Sequence, residues 1–215
     1  MTYLQAINHV MRRLREDEVS TWDETTYSKM VGDLVNDAMI KVQQAHNWSQ
    51  LVTELDVDTV ASTQTVTLDG VGEGAQVWQV LNSSTKSYIT SRDRGWMRMQ
   101  TSLAGTPEGP PSFFAFSSQA TDGDPLLQFY PIPDGVYALK ILVKKQQARM
   151  DDDADVILVP DDPVVQLATA YAFEERGDTG GQNNMTQFQR ANESLADAIG
   201  LDYQRDPTLL TWTEH

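Results

Sequence analysis

Six aspartates, at positions 151, 152, 153, 155, 161 and 162, fall within twelve residues and are the densest set of potential cation ligands in the chain. Asp151-x-Asp153-x-Asp155 has the opening spacing of a calcium loop, where alternate side-chain oxygens meet the ion. The remainder of that loop is missing. Its sixth position needs glycine for the turn and holds Val156, its twelfth holds Asp162 rather than a bidentate glutamate, and Val156-Ile157-Leu158-Val159 carries no side-chain oxygen. The cluster therefore reads as a solvated linker ahead of a capped helix, with no metal expected. Gly70-Val71-Gly72-Glu73-Gly74 is rich enough in glycine to cradle a phosphate, but no lysine follows, Glu73 would repel the anion, and a strand rather than a helix comes next. A mobile hairpin tip is the expectation there.

Nucleophilic and acid–base chemistry fares no better. The absence of cysteine removes thiol nucleophiles, disulfides, iron–sulfur clusters and cysteine zinc sites. The three histidines are His9, His46 and His215; none has a Glu-x-x-His partner, and no orienting carboxylate marks one as a triad base. A pair of carboxylates remains open among 31 acidic residues, since sequence does not say which are buried. No catalytic, cofactor-binding or metal-ligating residue is assigned, and no cofactor is expected.

Lys86, Arg92, Arg94 and Arg98 around Trp96 form the one locally basic stretch with an aromatic in it. Interleaved cations and an aromatic suit nucleic acid or an acidic protein surface; the competing reading is an exposed loop whose Trp96 is anchored in the core. A protein partner is the preferred ligand, because the formal net charge of −15 opposes binding to phosphates. That excess serves solubility, or makes a surface that DNA passes without sticking. No run approaches the roughly 18 apolar residues that span a bilayer, and Met1–Asp17 is amphipathic rather than signal-like. A soluble protein that stays in the cytoplasm where it is made is expected.

The elements that must carry these residues follow from periodicity. Leu4, Ile7, Val10, Met11 and Leu14 mark one helix face; after capping residues at Ser20-Thr21-Trp22-Asp23, the stripe Tyr27, Met30, Val31, Leu34, Val35, Ala38, Val42, Ala45, Trp48 predicts a second helix, weakened at Gly32. Alternation then predicts strands over 53–57 and 65–68, with 76–81 and 87–90 as further candidates and a return to β character over 112–116. A final hairpin, 126–130 and 136–144, is predicted around Pro131-Ile132-Pro133-Asp134-Gly135. Asp162 as N-cap with Pro163 at the first helical position opens a third helix, ended by Gly177. A fourth carries Met185, Phe188, Leu195 and Ile199 and ends at Gly200. The expected fold is α+β: a four-helix bundle made of an N-terminal hairpin (1–50) and a C-terminal pair (151–200), with an inserted antiparallel β-subdomain (51–150) and an extended C-terminal tail (201–215).

The strand Leu127-Gln128-Phe129-Tyr130, the Pro-Ile-Pro-Asp-Gly turn, the strand Val136-Tyr137-Ala138-Leu139, acidic Asp152-Asp153 and Val159-Pro160 before a helix, together with Gln44-Ala45-His46-Asn47-Trp48 closing the long helix, resemble the pattern of tailed-phage adaptors, the head-to-tail connector or tail tubular protein A-like family. The resemblance covers nearly the whole chain. It implies a non-enzymatic virion protein in the neck, assembled in the host cytoplasm as a homo-oligomeric ring of usually twelve copies. That ring would sit between the portal protein and a tail or nozzle protein, and DNA would pass through without specific binding. No membrane is involved. Within this reading Leu209, Leu210 and Trp212 are too apolar for a solvent-facing end and are expected to dock on the portal or a neighbouring subunit, with Trp212 as anchor. The alternatives are another phage structural protein, such as a head-completion or tail-terminator protein, or a hydrolase using acidic residues.

Overall fold

A computed structural model describes residues 1–103, 107–177 and 182–205. The chain divides into two compact units, Met1–Leu51 with Gln147–His215, and Val52–Gln146. In the first, helix α1 (Tyr3–Arg13) starts at a capping box: the Thr2 hydroxyl accepts from the Gln5 N–H and the Gln5 side chain accepts from the Thr2 N–H. Helix α2 (Thr26–Ala45) is capped the same way by Thr25 and Ser28, so its start lies beyond the Ser20–Asp23 cluster. Tyr3, Ile7 and Val10 bury against Val31, Val35, Met39 and Val42, as the 3.6-residue period requires. Gly32 is more than a weak spot in that stripe: a Cβ there would run into the Tyr3 hydroxyl, so the helices approach closely because the side chain is absent.

Helix α2 stops at Ala45, and His46 is already extended. Trp48, expected on the helical stripe, lies past its end but is fully buried, its Nε1–H donating to the Val42 carbonyl at 2.8 Å. Where the chain returns to this unit, α2 supplies the missing backbone partners. Gln43 Oε1 accepts from the Gln147 N–H (2.9 Å), and buried Asn36 accepts from the Met150 N–H (2.8 Å) while donating to the Met150 carbonyl (3.0 Å). The aspartate cluster that follows turns its oxygens onto the backbone. Asp155 takes the N–H groups of Asp151 and Asp152 (both 3.0 Å), Asp152 that of Ala154, and Asp153 that of Trp22. Among the described residues no group of three or more acidic or histidine side chains is arranged to hold a metal ion.

The second unit is a seven-stranded sheet. Its strands are β1 (Val52–Asp58), β2 (Thr65–Thr67), β3 (Gln76–Asn82), β4 (Ser87–Ser91), β5 (Phe113–Gln119), β6 (Pro125–Tyr130) and β7 (Ala138–Lys144), in the order β1-β7-β3-β4-β5-β6-β2. One face buries Val80, Ile89, Phe114, Leu127, Phe129, Leu139, Ile141 and Val143. Edge strand β1 turns Glu54 and Asp56 outward, and both meet Lys140 of β7 (2.5 and 3.3 Å), which places charge along an edge that would otherwise invite pairing.

The expected fold, a four-helix bundle with an inserted antiparallel β-subdomain, is corrected on several counts. Among the described residues there are five helices, because α3 (Arg94–Leu103) forms inside the sheet unit where a loop was expected. The sheet is large, curls into a half-barrel and is mixed, since β4 and β5 run parallel with Thr90 opposite Phe113. The predicted 126–144 hairpin does not form: β6 pairs with β5 and β2, β7 with β1 and β3. Pro131 and Pro133 lack the N–H groups a ladder needs, and the turn gives its remaining groups to other loops: Ile132 to Pro107 and Gly109, Pro133 to Ser62, Tyr137 to Thr59.

The C-terminal helices are corrected as well. Helix α4 (Asp161–Glu175) starts before Asp162, with Pro160 at the cap and Pro163 still in the first turn, where no N–H is required. It lies against α1, α2 and α5, whereas α5 (Gln182–Arg205) packs chiefly along α4. The narrow apolar face of α5 (Ala191, Leu195, Ala198, Ile199) leaves Met185 and Leu201 exposed and does not complete a bundle. It also runs through Gly200 to Arg205, so the tail does not begin at 201. Gly177 has the left-handed backbone of a helix terminator (φ +82°), and Gly200 has no positive φ. No helix among the described residues is long and apolar enough to cross a membrane.

Candidate functional site

Alternation along β5 sends its aromatics to both faces of the sheet. Phe113 meets α3, where Asp93 caps the helix by accepting from the Trp96 N–H at 2.8 Å and Met97 is fully buried. The Trp96 ring lies 4.9 Å from Phe113 and edge-on to Tyr130 at 5.7 Å. The Arg92 guanidinium covers this cluster, 5.5 Å from the Trp96 centroid and 5.2 Å from that of Phe113, close enough for cation–π attraction. Its main chain is held too, since the Arg92 N–H donates to the Phe114 carbonyl at 2.8 Å. Arg94 and Arg98 are exposed, four residues apart on α3 and so on one side of it. Among the described residues, Arg92, Arg94 and Arg98 enter none of the ion pairs that engage Arg12, Lys140, Arg149 and Arg176.

Phe114 and Phe116 face the other way. With Ala75, Val77, Pro125 and Leu127 they floor a groove of about 480 Å³, rimmed by Arg92, Asp93 and Arg94. Phe116, opposite Leu127 in the β5–β6 register, is 50% exposed. The basic, aromatic stretch anticipated from the sequence thus divides. Arg92 and Trp96 stack together, Arg94 stands at the groove, and Arg98 lies one turn along. Lys86 sits in the β3–β4 turn at the opposite end of β4, roughly 20 Å from Arg92 at the usual rise per residue. Sequence reasoning missed the groove; the Phe113-Phe114-Ala115-Phe116 alternation was its only local signal. Leu209, Leu210 and Trp212 lie outside the described residues.

Two polar clusters bear on the chemistry considered above. The glycine loop is an anion nest, but its occupant is internal: Asp124 accepts from the N–H groups of Gly70 (2.6 Å), Val71 (3.2 Å) and Gly72 (2.9 Å), with Gly70 and Gly72 at positive φ. The loop is therefore tied down rather than left as a free tip. Bonds from Gly70 and Gly72, ahead of that from Val71, hold the Asp124 carboxyl below its ordinary value. A depressed carboxylate adds stability that is complete above about pH 4, the unfolded value, and is lost as pH falls through the lower folded one. Asp124→Asn is expected to lower the urea midpoint clearly at pH 7 and by progressively less below pH 4. Parallel midpoints for variant and parent down to pH 2 would remove this role.

In the helical unit, His46 Nε2 and Asp202 Oδ2 are 3.1 Å apart, with side chains only 7% and 3% exposed. Asp202 also accepts from the Ser49 N–H (3.0 Å) and hydroxyl (2.6 Å). Trp48 and Tyr203 both lie edge-on to the imidazole. Serine, histidine and aspartate meet here, but the hydroxyl is directed at the carboxylate and not at the imidazole, so no Ser–His relay is assembled. The cluster ties the last turns of α5 to the segment after α2, which is why that helix continues past Gly200.

Stacked aromatics, an apolar groove and arginines outside the ion pairs of the described residues make up this surface. The family model described as SU10 adaptor protein matches residues 1–211, and the chain belongs to that family of phage adaptors. It is therefore a phage structural adaptor protein and a virion component. No curated protein matches the chain significantly.

Proposed function

We propose that this protein is a head-to-tail adaptor that assembles into a ring, of twelve copies as in the resembled tail tubular protein A-like family, between the portal and a tail or nozzle protein in the neck of the virion. The observation that carries the reading is the family match over residues 1–211. Supporting it, the net charge of −15, repeated around a closed ring, gives a lumen that repels passing DNA. Leu209, Leu210 and Trp212 are the contacts to the portal or to a neighbouring subunit, and Trp212 is the anchor. The basic stretch Arg92, Arg94, Trp96 and Arg98, with Lys86 apart from it, contacts a protein partner rather than DNA.

Removing the residues after Asp206 is expected to leave the helical and β signals in circular dichroism unchanged, and to reduce co-assembly with the portal by tenfold or more in native mass spectrometry. Undiminished assembly of the shortened chain removes the role of the tail. Failure of the full-length chain to associate with either portal or tail protein removes the adaptor reading itself.

A further inference from the structure

We propose that the groove between Arg94 and Phe116 receives residues 206–215 of a second copy of this chain. The proposal rests on the reading that these residues mediate assembly, and names their receptor. The groove has an aromatic floor with half-exposed Phe116 at its centre, and buried Phe114 and Leu127 beneath it. Leaving a ring of that size half in water forgoes burial that an apolar partner would supply. The rim adds a second requirement. Arg94 stands at the entrance and, among the described residues, enters none of the ion pairs, so the rim offers a cation; Asp93 beside it is committed to the Trp96 N–H. The occupant must be short, apolar in the middle and acidic at a flank.

Asp206-Pro-Thr-Leu-Leu-Thr-Trp-Thr-Glu214-His has that composition: Leu209, Leu210 and Trp212 lie between Asp206 and Glu214. Helix α5 ends at Arg205, and the ten residues beyond it span up to about 33–36 Å when extended, enough to leave their own helix for a neighbour's sheet. Trp212 fills the floor against Phe116, and an acidic flank meets Arg94. This is a hot-spot arrangement of an aromatic in a pocket with charge at the rim. In a chain of −15 charge, most of the surface would repel such a segment, which leaves few basic entrances to compete.

The test uses the full chain with a benzophenone-bearing residue in place of Trp212, mixed with nitrogen-15-labelled full chain, irradiated over a range of concentrations and mapped by mass spectrometry. Adducts are expected on the 113–127 segment of the labelled copy, with a yield that rises with concentration. Introducing Arg94→Glu or Phe116→Asp into the labelled copy should lower that yield about tenfold. Arg94 is exposed, so its variant remains informative if Phe116→Asp perturbs the sheet. Adducts confined to the chain that carries the probe, adducts elsewhere, none at all, or a yield indifferent to Arg94→Glu would each overturn the proposal. Portal co-assembly of the same Arg94→Glu chain separates the two readings: an adaptor that still joins the portal without this cross-link keeps its function and loses only the groove.

Discussion

Trp48→Ala should cost about 3–5 kcal/mol of unfolding free energy, the range for deleting a fully buried large aromatic. Trp48 is 0% exposed and packs in the helical core with Leu51, Val42 and the residues after α2. Two losses combine. The cavity left by the indole lies where the chain has just left α2 at Ala45, and the Val42 carbonyl in the last turn loses the Nε1–H that satisfies it. The edge-on contact with His46 at 4.9 Å disappears too, and with it part of the packing that sets the imidazole against Asp202. Trp48→Phe keeps most of the volume and loses the hydrogen bond, so it should cost less than half as much. Urea unfolding followed by the helical circular dichroism signal measures both. An alanine variant within about 1 kcal/mol of the parent would mean that this residue does not close the helical core.

Local pattern carried far more of this fold than its pairing. Residue pattern places a strand at all seven segments, by alternation at 53–57 and 65–68 and by β character elsewhere, and places α1 and α2 by helical spacing, because such patterns record which side of a segment is dry. What alternation does not record is the neighbour. Pro131-Ile132-Pro133-Asp134-Gly135 looks like a hairpin turn from its residues alone. Its backbone groups instead pair with the 59–62 and 107–109 loops, contacts some 70 and 24 residues distant that no local window contains. The same limit hid the buried roles of Asn36 and Gln43, whose partners Met150 and Gln147 lie more than a hundred residues along the chain.

Helix α3 was obscured for another reason. Gly95 and two arginines, Arg94 and Arg98, dilute its apolar face, and the deciding contact is Trp96 on Phe113 and Tyr130, with buried Met97 beside it. Gly200 misled in the opposite sense: glycine ends a helix when it takes a positive φ, and here the Asp202 bonds to Ser49 and His46 hold the last turns in place. For the candidate site, the basic and aromatic residue types were legible in 92–98. The groove was not, because its floor is assembled from three strands whose order the sequence does not state.

The other large effect is expected at Asn36, and it tests whether the returning chain is held by hydrogen bonds or only by burial. Asn36→Leu is close to isosteric and more apolar, so a core held by packing alone would tolerate it. Here the amide makes three bonds in a space 3% exposed: it donates to the Tyr3 hydroxyl (3.1 Å) and the Met150 carbonyl (3.0 Å), and accepts from the Met150 N–H (2.8 Å). Leucine would leave both backbone groups of Met150 without their partner, at about 1–3 kcal/mol each, against at most about 1–2 kcal/mol gained from the added apolar surface. The net expectation is a loss of about 3 kcal/mol. Burial first, and the nearby Asp33 second, push the Tyr3 hydroxyl up to about 12, so it stays neutral through the working range. The penalty should therefore be the same at pH 6 and pH 9. A Tyr3→Phe background should leave most of it in place, because the Met150 bonds and not the phenol dominate. Hydrogen exchange at the Met150 amide reads the same bond directly: protection should fall about a hundredfold in Asn36→Leu, matching the loss of about 3 kcal/mol. Unchanged protection there, with the midpoint also unmoved, would show that the returning segment does not depend on α2 for its place.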